Sequence, residues 1–349
     1  MIRVLIVDDS LMARQILKQL LEDADGIEVV GEASNGRQAV ELARSLRPDL
    51  ITMDLEMPVM NGLAAIEEIM CAKAVPILVV SSAAGVREAL EATQLGALDV
   101  VEKPGLSAEG ADWFVDKVRL LAGVTVVTRI KPKQRCSQAI ARPLSHDACN
   151  PFIYPRMFAI ASSTGGPQAL ARILSALPND FSCPVVIAQH IADGFTQGLV
   201  DWLGTVTRLP VRLAAIGDTP QAGVVHIIPS EFNGIVTPQR RLALLPREEG
   251  DIYRPSCDRL LQSVADVFGS RAVGIILTGM GSDGAAGIAH IHRKGGITLA
   301  QDEASSLIFG MNQVAILTGG VQRIVPLEVI GDEMVRLALA DPVPGGGGR

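Results

Sequence analysis

The sequence predicts an α/β protein made of two doubly wound parallel-sheet domains. Three observations predict it. Short Val/Ile-rich runs alternate with helix-period segments in two separate stretches, as they do where parallel strands are joined by crossover helices. At 349 residues the chain is long for one domain and comfortable for two. Apolar residues make up 48 % but aromatics only 3 %, so the core is built from Val, Ile, Leu and Ala, as in sheets buried on both faces.

Residues 1–122 carry five strand-like runs in order: RVLIVDD, EVVGEA, LITMDL, ILVVSS and LDVVEK. The segment after the first run, SLMARQILKQLLEDA, places apolar residues at helical spacing. Over 123–155 the pattern fails. The stretch RIKPKQRCSQAIARPLSHDACNP is basic, proline-spotted and aperiodic, which reads as a linker. Alternation resumes over 156–340 with MFAIAS, PVVIAQH, VRLAAI, GVVHIIP, VGIILTG and GITLAQ. The tail DPVPGGGGR, 341–349, reads as disordered.

Composition excludes several function classes. A net charge of −7 argues against non-specific nucleic-acid binding, which needs a basic face. No run approaches the roughly 18 apolar residues of a membrane span. The N-terminus MIRVLIVDDS is too short and too acidic for a signal peptide. The five cysteines show no CxxC, so neither a disulfide framework nor a zinc site is expected. A cytoplasmic location is the expectation.

In open parallel sheets ligands sit at the carboxyl ends of the strands. In the first half those ends carry Asp8 and Asp9, then Asp54, Ser81 and Lys103. Three converging carboxylates repel one another unless a divalent cation sits among them, and hard oxygen donors suit Mg²⁺. A lysine and a hydroxyl beside the metal suit a phosphoryl group, with one aspartate as its acceptor. Taken singly, Asp9 serves equally well as a helix cap and Asp54 as a turn former. Five such residues at corresponding strand ends make those readings inadequate together.

VDDS, MDLEMPVMNG, VVSS and VEKP resemble the motifs of a response-regulator receiver domain, over essentially all of 1–122. The resemblance implies a flavodoxin-like (βα)₅ fold and phosphorylation of Asp54 by a sensor histidine kinase. It implies Mg²⁺ held by Asp8, Asp9, Asp54 and the backbone carbonyl of Glu56, with Ser81 and Lys103 contacting the phosphoryl group. One departure stands out: Val100 occupies the position, three before the lysine, where many receivers carry an aromatic switch residue.

In the second half, FAIASSTGGPQAL runs from an apolar strand into hydroxyls and glycines. Such a strand-to-helix turn can cradle a phosphate, cap the helix or expose a nucleophile. A serine nucleophile needs a base and a group that orients it. Of the four histidines there, His226 lies within a strand and His290 and His292 in a helix, whereas His190 ends the strand CPVVIAQH. Ser163, His190 and Asp283 then come from the carboxyl ends of three strands. Singly, Ser163 or Thr164 and Asp283 read equally well as helix N-caps. GMGSDG, 279–284, also fits G-x-G-x-x-G, with Asp302 placed like the ribose-binding acid of a dinucleotide fold. Against that, Asp283 puts negative charge into the pyrophosphate loop.

SSTGGPQAL, AQHIADGFT, YRPSCDRLLQSV, LTGMGSDGAAG and AQDEASSLIFGM resemble, in order, the catalytic domain of the CheB-type chemotaxis protein-glutamate methylesterases. A receiver joined by a linker to this Rossmann-like α/β domain is that family's own arrangement. The resemblance implies Ser163 as nucleophile, His190 as base and Asp283 as orienting acid, with no cofactor needed in this half. It implies hydrolysis of γ-glutamyl methyl esters on methylated chemoreceptors, and deamidation of selected glutamines. Control would come from an unphosphorylated receiver that covers the cleft until Asp54 is phosphorylated. Backbone N–H groups near Thr164 and Met280 are candidates for the oxyanion donors.

Several positions depart from the family pattern. Ala161 and Ser162 replace Gly-Ala before the nucleophile, and QHIADGFT lacks Met-Pro-Pro after the histidine. IIPSEFN (227–233) replaces a segment that often contains a further histidine, and Asn312 stands where proline is usual. None removes a triad member. Two other function classes stay open at this point: a non-catalytic response-regulator adaptor and a nicotinamide-dependent enzyme.

Overall fold

The computed structural model of the chain describes residues 1–81, 86–104, 108–126, 154–248, 251 and 253–340. These fall into two compact units, one within 1–126 and one within 154–340. The linker expected over 123–155 lies outside the described residues except at its ends, and the tail expected at 341–349 lies outside them altogether.

The first unit alternates strands and helices throughout: β1 (Ile2–Val7), α1 (Leu11–Glu22), β2 (Ile27–Ala33), α2 (Gly36–Leu46), β3 (Leu50–Met53), α3 (Gly62–Ala72), β4 (Ile77–Ser81), α4 (Val86–Leu95), β5 (Asp99–Glu102) and α5 (Ala108–Ala122). The sheet order is β2-β1-β3-β4-β5, with every pair parallel. β3 and β4 are buried at every position, which is why their sequences are unbroken apolar runs rather than alternating ones. Ser10, Asn35 and Asn61 cap α1, α2 and α3 by accepting the N–H of Ala13, Gln38 and Ala64. The cap of α1 is therefore Ser10, and Asp9 is left for other work.

The second unit contains β6 (Met157–Ser162), α6 (Gly166–Ala176), β7 (Val185–Gln189), α7 (Thr196–Val206), β8 (Val211–Leu213), β9 (Val225–Ile227), β10 (Phe232–Val236), β11 (Leu242–Pro246), α8 (Cys257–Phe268), β12 (Ala272–Ile276), α9 (Ala285–Arg293), β13 (Ile297–Gln301), α10 (Met311–Leu317), β14 (Arg323–Val325) and α11 (Leu327–Leu339). Seven strands form one parallel sheet in the order β14-β13-β12-β6-β7-β9-β8. The chain starts in the middle, at β6, winds outward through β7, and returns to β12 on the other side. That reversal places the crevice at the ends of β12, β6 and β7.

Three strands go beyond the sequence expectation. β10 and β11 form a separate antiparallel pair, and β14 edges the main sheet. Their patterns are weak because β14 has only three residues and the hairpin strands are partly exposed. Contacts with α8 hold the hairpin. Val236 and Leu242 join Leu260, Leu261 and Val264 in one buried cluster, and the Val236 N–H donates to Ser263 Oγ at 2.9 Å. β6 is buried at all six positions, and each fully buried Ile or Val side chain in such a strand contributes about 1.5–3 kcal/mol relative to exposure. Among the described residues, no helix is long and apolar enough to cross a membrane.

Candidate functional site

The first unit gathers its polar strand ends at the β1/β3 reversal. Asp8 follows β1 and is fully buried; Asp54 follows β3 at 4 % exposure; Ser81 ends β4, also buried; Asp9 is exposed. Lys103, after β5, reaches back with Nζ 2.8 Å from Asp8 Oδ2 and 3.0 Å from Asp54 Oδ2. Backbone pairing sets that reach, because the Lys103 N–H donates to the Ser81 carbonyl at 3.1 Å. Burial, reinforced by the charge of Asp8, raises the Asp54 pKa against the opposing pull of Lys103. Burial disfavours the Lys103 ammonium, but hydrogen bonds and charges of the two aspartates outweigh it and raise its pKa.

One oxygen from each of Asp8, Asp9 and Asp54 lies within 4.8 Å of the other two. Asp8 Oδ2 is buried, and its partner among the described residues is the Lys103 ammonium at 2.8 Å. An all-oxygen donor set with a buried carboxylate fits a hard divalent cation. Glu56 is exposed and lines an open pocket together with Asp9, Met57 and Asn61. Val100 sits partly buried within β5, paired with Val79 of β4.

In the second unit Ser163, His190 and Asp283 come to three adjacent strand ends. Ser163 follows β6, and its N–H donates to the Thr278 carbonyl, which ties it to the end of β12. Gly165, at φ +77°, then turns the chain into α6. His190 follows β7, with its N–H donating to the Ser162 carbonyl at 2.9 Å. Gln189 spans both ends. Its Nε2 donates to the carbonyls of Ser163 (2.8 Å) and His190 (2.7 Å), and its Oε1 accepts from Ser162 Oγ at 2.6 Å. Ser162 thus adds a bond to this clamp.

His190 Nε2 lies 2.8 Å from Asp283 Oδ2. The Asp283 carboxylate also accepts the N–H of Cys257 (2.6 Å) and Asp258 (2.9 Å) in the first turn of α8, where the helix dipole favours a negative charge. Burial alone raises the pKa of Asp283. The hydrogen bond and charge of His190 and the two N–H donors outweigh it, and hold the carboxyl below its usual range. The Tyr253 ring stacks on the imidazole at 5.0 Å between centroids, 14° from parallel. These contacts fix the ring with Nε2 toward Asp283.

No hydrogen bond joins Ser163 Oγ to His190 among the described residues. Nucleophile–base contacts often tighten only when substrate binds. Thr164, buried, follows Ser163 beyond β6, and Met280, partly buried, lies in the turn after β12. The alternative use of GMGSDG as a pyrophosphate loop meets two obstacles. A Cβ added at Gly279 falls 2.6 Å from Ser163 Cβ and 2.3 Å from Met311 Sδ, so that glycine serves close packing against the serine turn. Asp302 is spent on a local turn, accepting from the N–H and Oγ of Ser305.

The other histidines lie elsewhere. His226 is buried in β9, where burial pushes its pKa down to about 4. His290 pairs with Asp266 at 2.9 Å, and His292 is exposed at the end of α9. Sequence reading assigned no role to Gln189, Tyr253, Cys257 or Asp258. The signals available for the last three were that YRPSCD runs into a helical pattern and that YRPSCDRLLQSV resembles a segment of the catalytic domain.

Residues 158–334 match the family described as CheB methylesterase, and residues 4–110 match the response regulator receiver domain. The chain is 54 % identical to a protein-glutamate methylesterase/protein-glutamine glutaminase of Paramagnetospirillum magneticum, over 96 % of each chain. It is 37 % identical to a protein of that description from Pyrococcus abyssi, over 99 % of this chain and 95 % of the other. Among solved structures, the Thermotoga maritima CheB methylesterase catalytic domain superposes with a TM-score of 0.52 at 31 % identity. That match covers 53 % of this chain and all of the other.

Proposed function

The chain belongs to the CheB methylesterases that carry a receiver domain, and from that premise we propose that it is a phosphorylation-regulated protein-glutamate methylesterase and protein-glutamine deamidase acting on chemoreceptors. The observation that carries the reading is the 2.8 Å contact between His190 Nε2 and Asp283 Oδ2, at strand ends adjacent to Ser163.

In this reading Ser163 Oγ attacks the γ-ester carbonyl of a methylated glutamate while His190 Nδ1 accepts its proton. Asp283 holds the opposite nitrogen as N–H and stabilises the imidazolium that forms. The N–H groups of Thr164 and Met280 receive the oxyanion, and one such donor is typically worth about 3–4 kcal/mol. The Nδ1 proton passes to the departing methoxide and methanol leaves. Water, deprotonated by the same nitrogen, then hydrolyses the acyl-enzyme to glutamate and restores Ser163. With a glutamine substrate the leaving group is ammonia.

In the receiver, Asp54 is the phosphate acceptor, with a sensor histidine kinase as donor. Asp8, Asp9, Asp54 and the Glu56 carbonyl would hold Mg²⁺, which supplies charge neutralisation at the phosphoryl oxygens. Lys103 and Ser81 would contact the phosphoryl group.

The test is methanol release from a methylated chemoreceptor by the whole chain, with and without a small-molecule phosphodonor and Mg²⁺, and by Ser163→Ala. Stimulated release that vanishes in the variant supports the reading. Release that persists in Ser163→Ala removes the serine from the mechanism.

A further inference from the structure

His190, Cys257 and Asp283 form a donor set that ester hydrolysis does not require. His190 Nε2 is 2.8 Å from Asp283 Oδ2 and 3.4 Å from Cys257 Sγ, and one donor atom of each residue lies within 4.8 Å of the other two. They arrive from three elements: the end of β7, the first residue of α8 and the turn before α9. A thiol, an imidazole and a carboxylate are the mixed donors that borderline-soft Zn²⁺ takes, with a fourth position left open. The receiver cluster, by contrast, offers oxygen alone.

We propose that these three side chains are an inhibitory zinc site, at which Zn²⁺ bound by His190 Nε2, Cys257 Sγ and Asp283 Oδ2 switches the esterase off. The proposal rests on Ser163, His190 and Asp283 acting as the triad. Zinc–ligand lengths of about 2.0–2.3 Å put ligand atoms about 3.3–3.7 Å apart. The nitrogen–sulfur separation already fits, and the nitrogen–carboxylate separation opens by about half an ångström.

The protons account for the inhibition. Without metal, Cys257 is a buried thiol donating to the Ala188 carbonyl at 3.4 Å. Zinc displaces the thiol proton to solvent and takes the Nε2 lone pair, and the imidazole proton moves to Nδ1. No electron is transferred. Nδ1 then carries a proton and has no lone pair with which to accept one from Ser163. The metal also occupies the carboxylate that would stabilise an imidazolium. Cys257 meets the triad through its backbone N–H to Asp283, which valine preserves, and through Sγ beside His190 Nε2, so the zinc response of each protein is read relative to its own metal-free rate.

The experiment titrates ZnCl₂ and, separately, MgCl₂ into the metal-stripped full chain and into Cys257→Val while following methanol release. Wild type is expected to lose activity with zinc, recover on chelation and ignore magnesium at the same concentrations. Cys257→Val is expected to need about tenfold or more zinc for the same loss. In parallel, Co²⁺ serves as a spectroscopic probe. A thiolate-to-cobalt charge-transfer band is expected in wild type and not in Cys257→Val. Equal zinc sensitivity of the two proteins, or a cobalt spectrum unchanged by the substitution, overturns the site. The cobalt spectrum needs no turnover, so a chain that released no methanol at all would sink the esterase reading while leaving the metal site measurable.

Discussion

Asp258 and Asp283 cap each other's helices. The Asp283 carboxylate accepts the N–H of Cys257 and Asp258 at the start of α8, while Asp258 Oδ1 accepts the N–H of Gly284 (2.9 Å) and Gly287 (2.6 Å) at the start of α9. Two helix N-termini thus exchange acidic caps, and the exchange holds the turn that carries the histidine's partner. Burial, against the pull of the α9 N–H groups and with the charge of Asp283 adding to it, raises the Asp258 pKa.

Asp258→Ala leaves two N–H groups at the α9 start without their acceptor and frees the 283 turn. A cost of about 1–2 kcal/mol in stability is expected. A fall in kcat on the order of 10²-fold with KM little changed is expected from the displaced Asp283. Asp258→Asn keeps an acceptor oxygen and should recover most of both. Thermal unfolding and methanol-release kinetics on the three proteins check this, and an Asn variant no better than Ala argues for a role of the charge itself.

His226 is buried, and its folded pKa, about 4, lies below the ordinary value of 6.5. Between those values the unfolded chain binds a proton that the folded chain refuses, so stability falls as pH drops from 6.5 toward 4. The shift corresponds to an upper bound of about 3 kcal/mol across that window. His226→Gln should flatten this part of the stability–pH curve relative to wild type, measured by denaturant unfolding. Parallel curves for the two proteins would show that the buried imidazole is not the sensitive group.

Gly62 opens α3 against the backbone that carries Asp54. A Cβ there falls 2.2 Å from the Asp54 carbonyl oxygen and 2.8 Å from Leu55 Cα. Backbone cannot swing aside as a side chain does, so Gly62→Ala should cost about 1–3 kcal/mol and shift the acceptor aspartate. Labelling by a small-molecule phosphodonor, read by intact mass, is expected to slow. Wild-type labelling in a destabilised variant would show that the acceptor turn absorbs the displacement.

Lys103 is the cation that sits between the buried carboxylates of Asp8 and Asp54. Breaking a fully buried pair costs about 3–5 kcal/mol, and the partial exposure of Lys103 reduces the expected loss in Lys103→Met to about 1–2 kcal/mol. A divalent cation at Asp8, Asp9 and Asp54 would offset the repulsion left behind. Added Mg²⁺ should therefore raise the Tm of Lys103→Met more than that of wild type. Equal increments in the two proteins would count against a shared carboxylate site.

Much of this was legible locally. Apolar runs that give way to polar residues at Asp8, Asp54, Ser81, Ser162–Ser163 and Gln189–His190 are one-dimensional signals, because a parallel strand buried on both faces is an almost continuous apolar run and the polar residues that follow mark where it ends. The same signal placed β1 to β9, β12 and β13 while missing the short or half-exposed β10, β11 and β14, whose burial depends on α8 and on the sheet edge. Asp283 was readable equally as a cap for the helix that follows it; in the structure that helix is capped by Asp258, and Asp283 caps α8 instead.

What the sequence by itself determined was the α/β class, the two halves and the polar residue at each strand end, since these follow from hydrophobic period and from turn chemistry within a dozen residues. Only the tertiary structure decided that β12, β6 and β7 lie side by side, that Nε2 rather than Nδ1 of His190 faces Asp283, and that Cys257 stands 3.4 Å from that nitrogen. The physical reason is sequence distance. Those relations join segments 93 residues apart and more, and they are set by strand order and helix packing, which local periodicity does not encode.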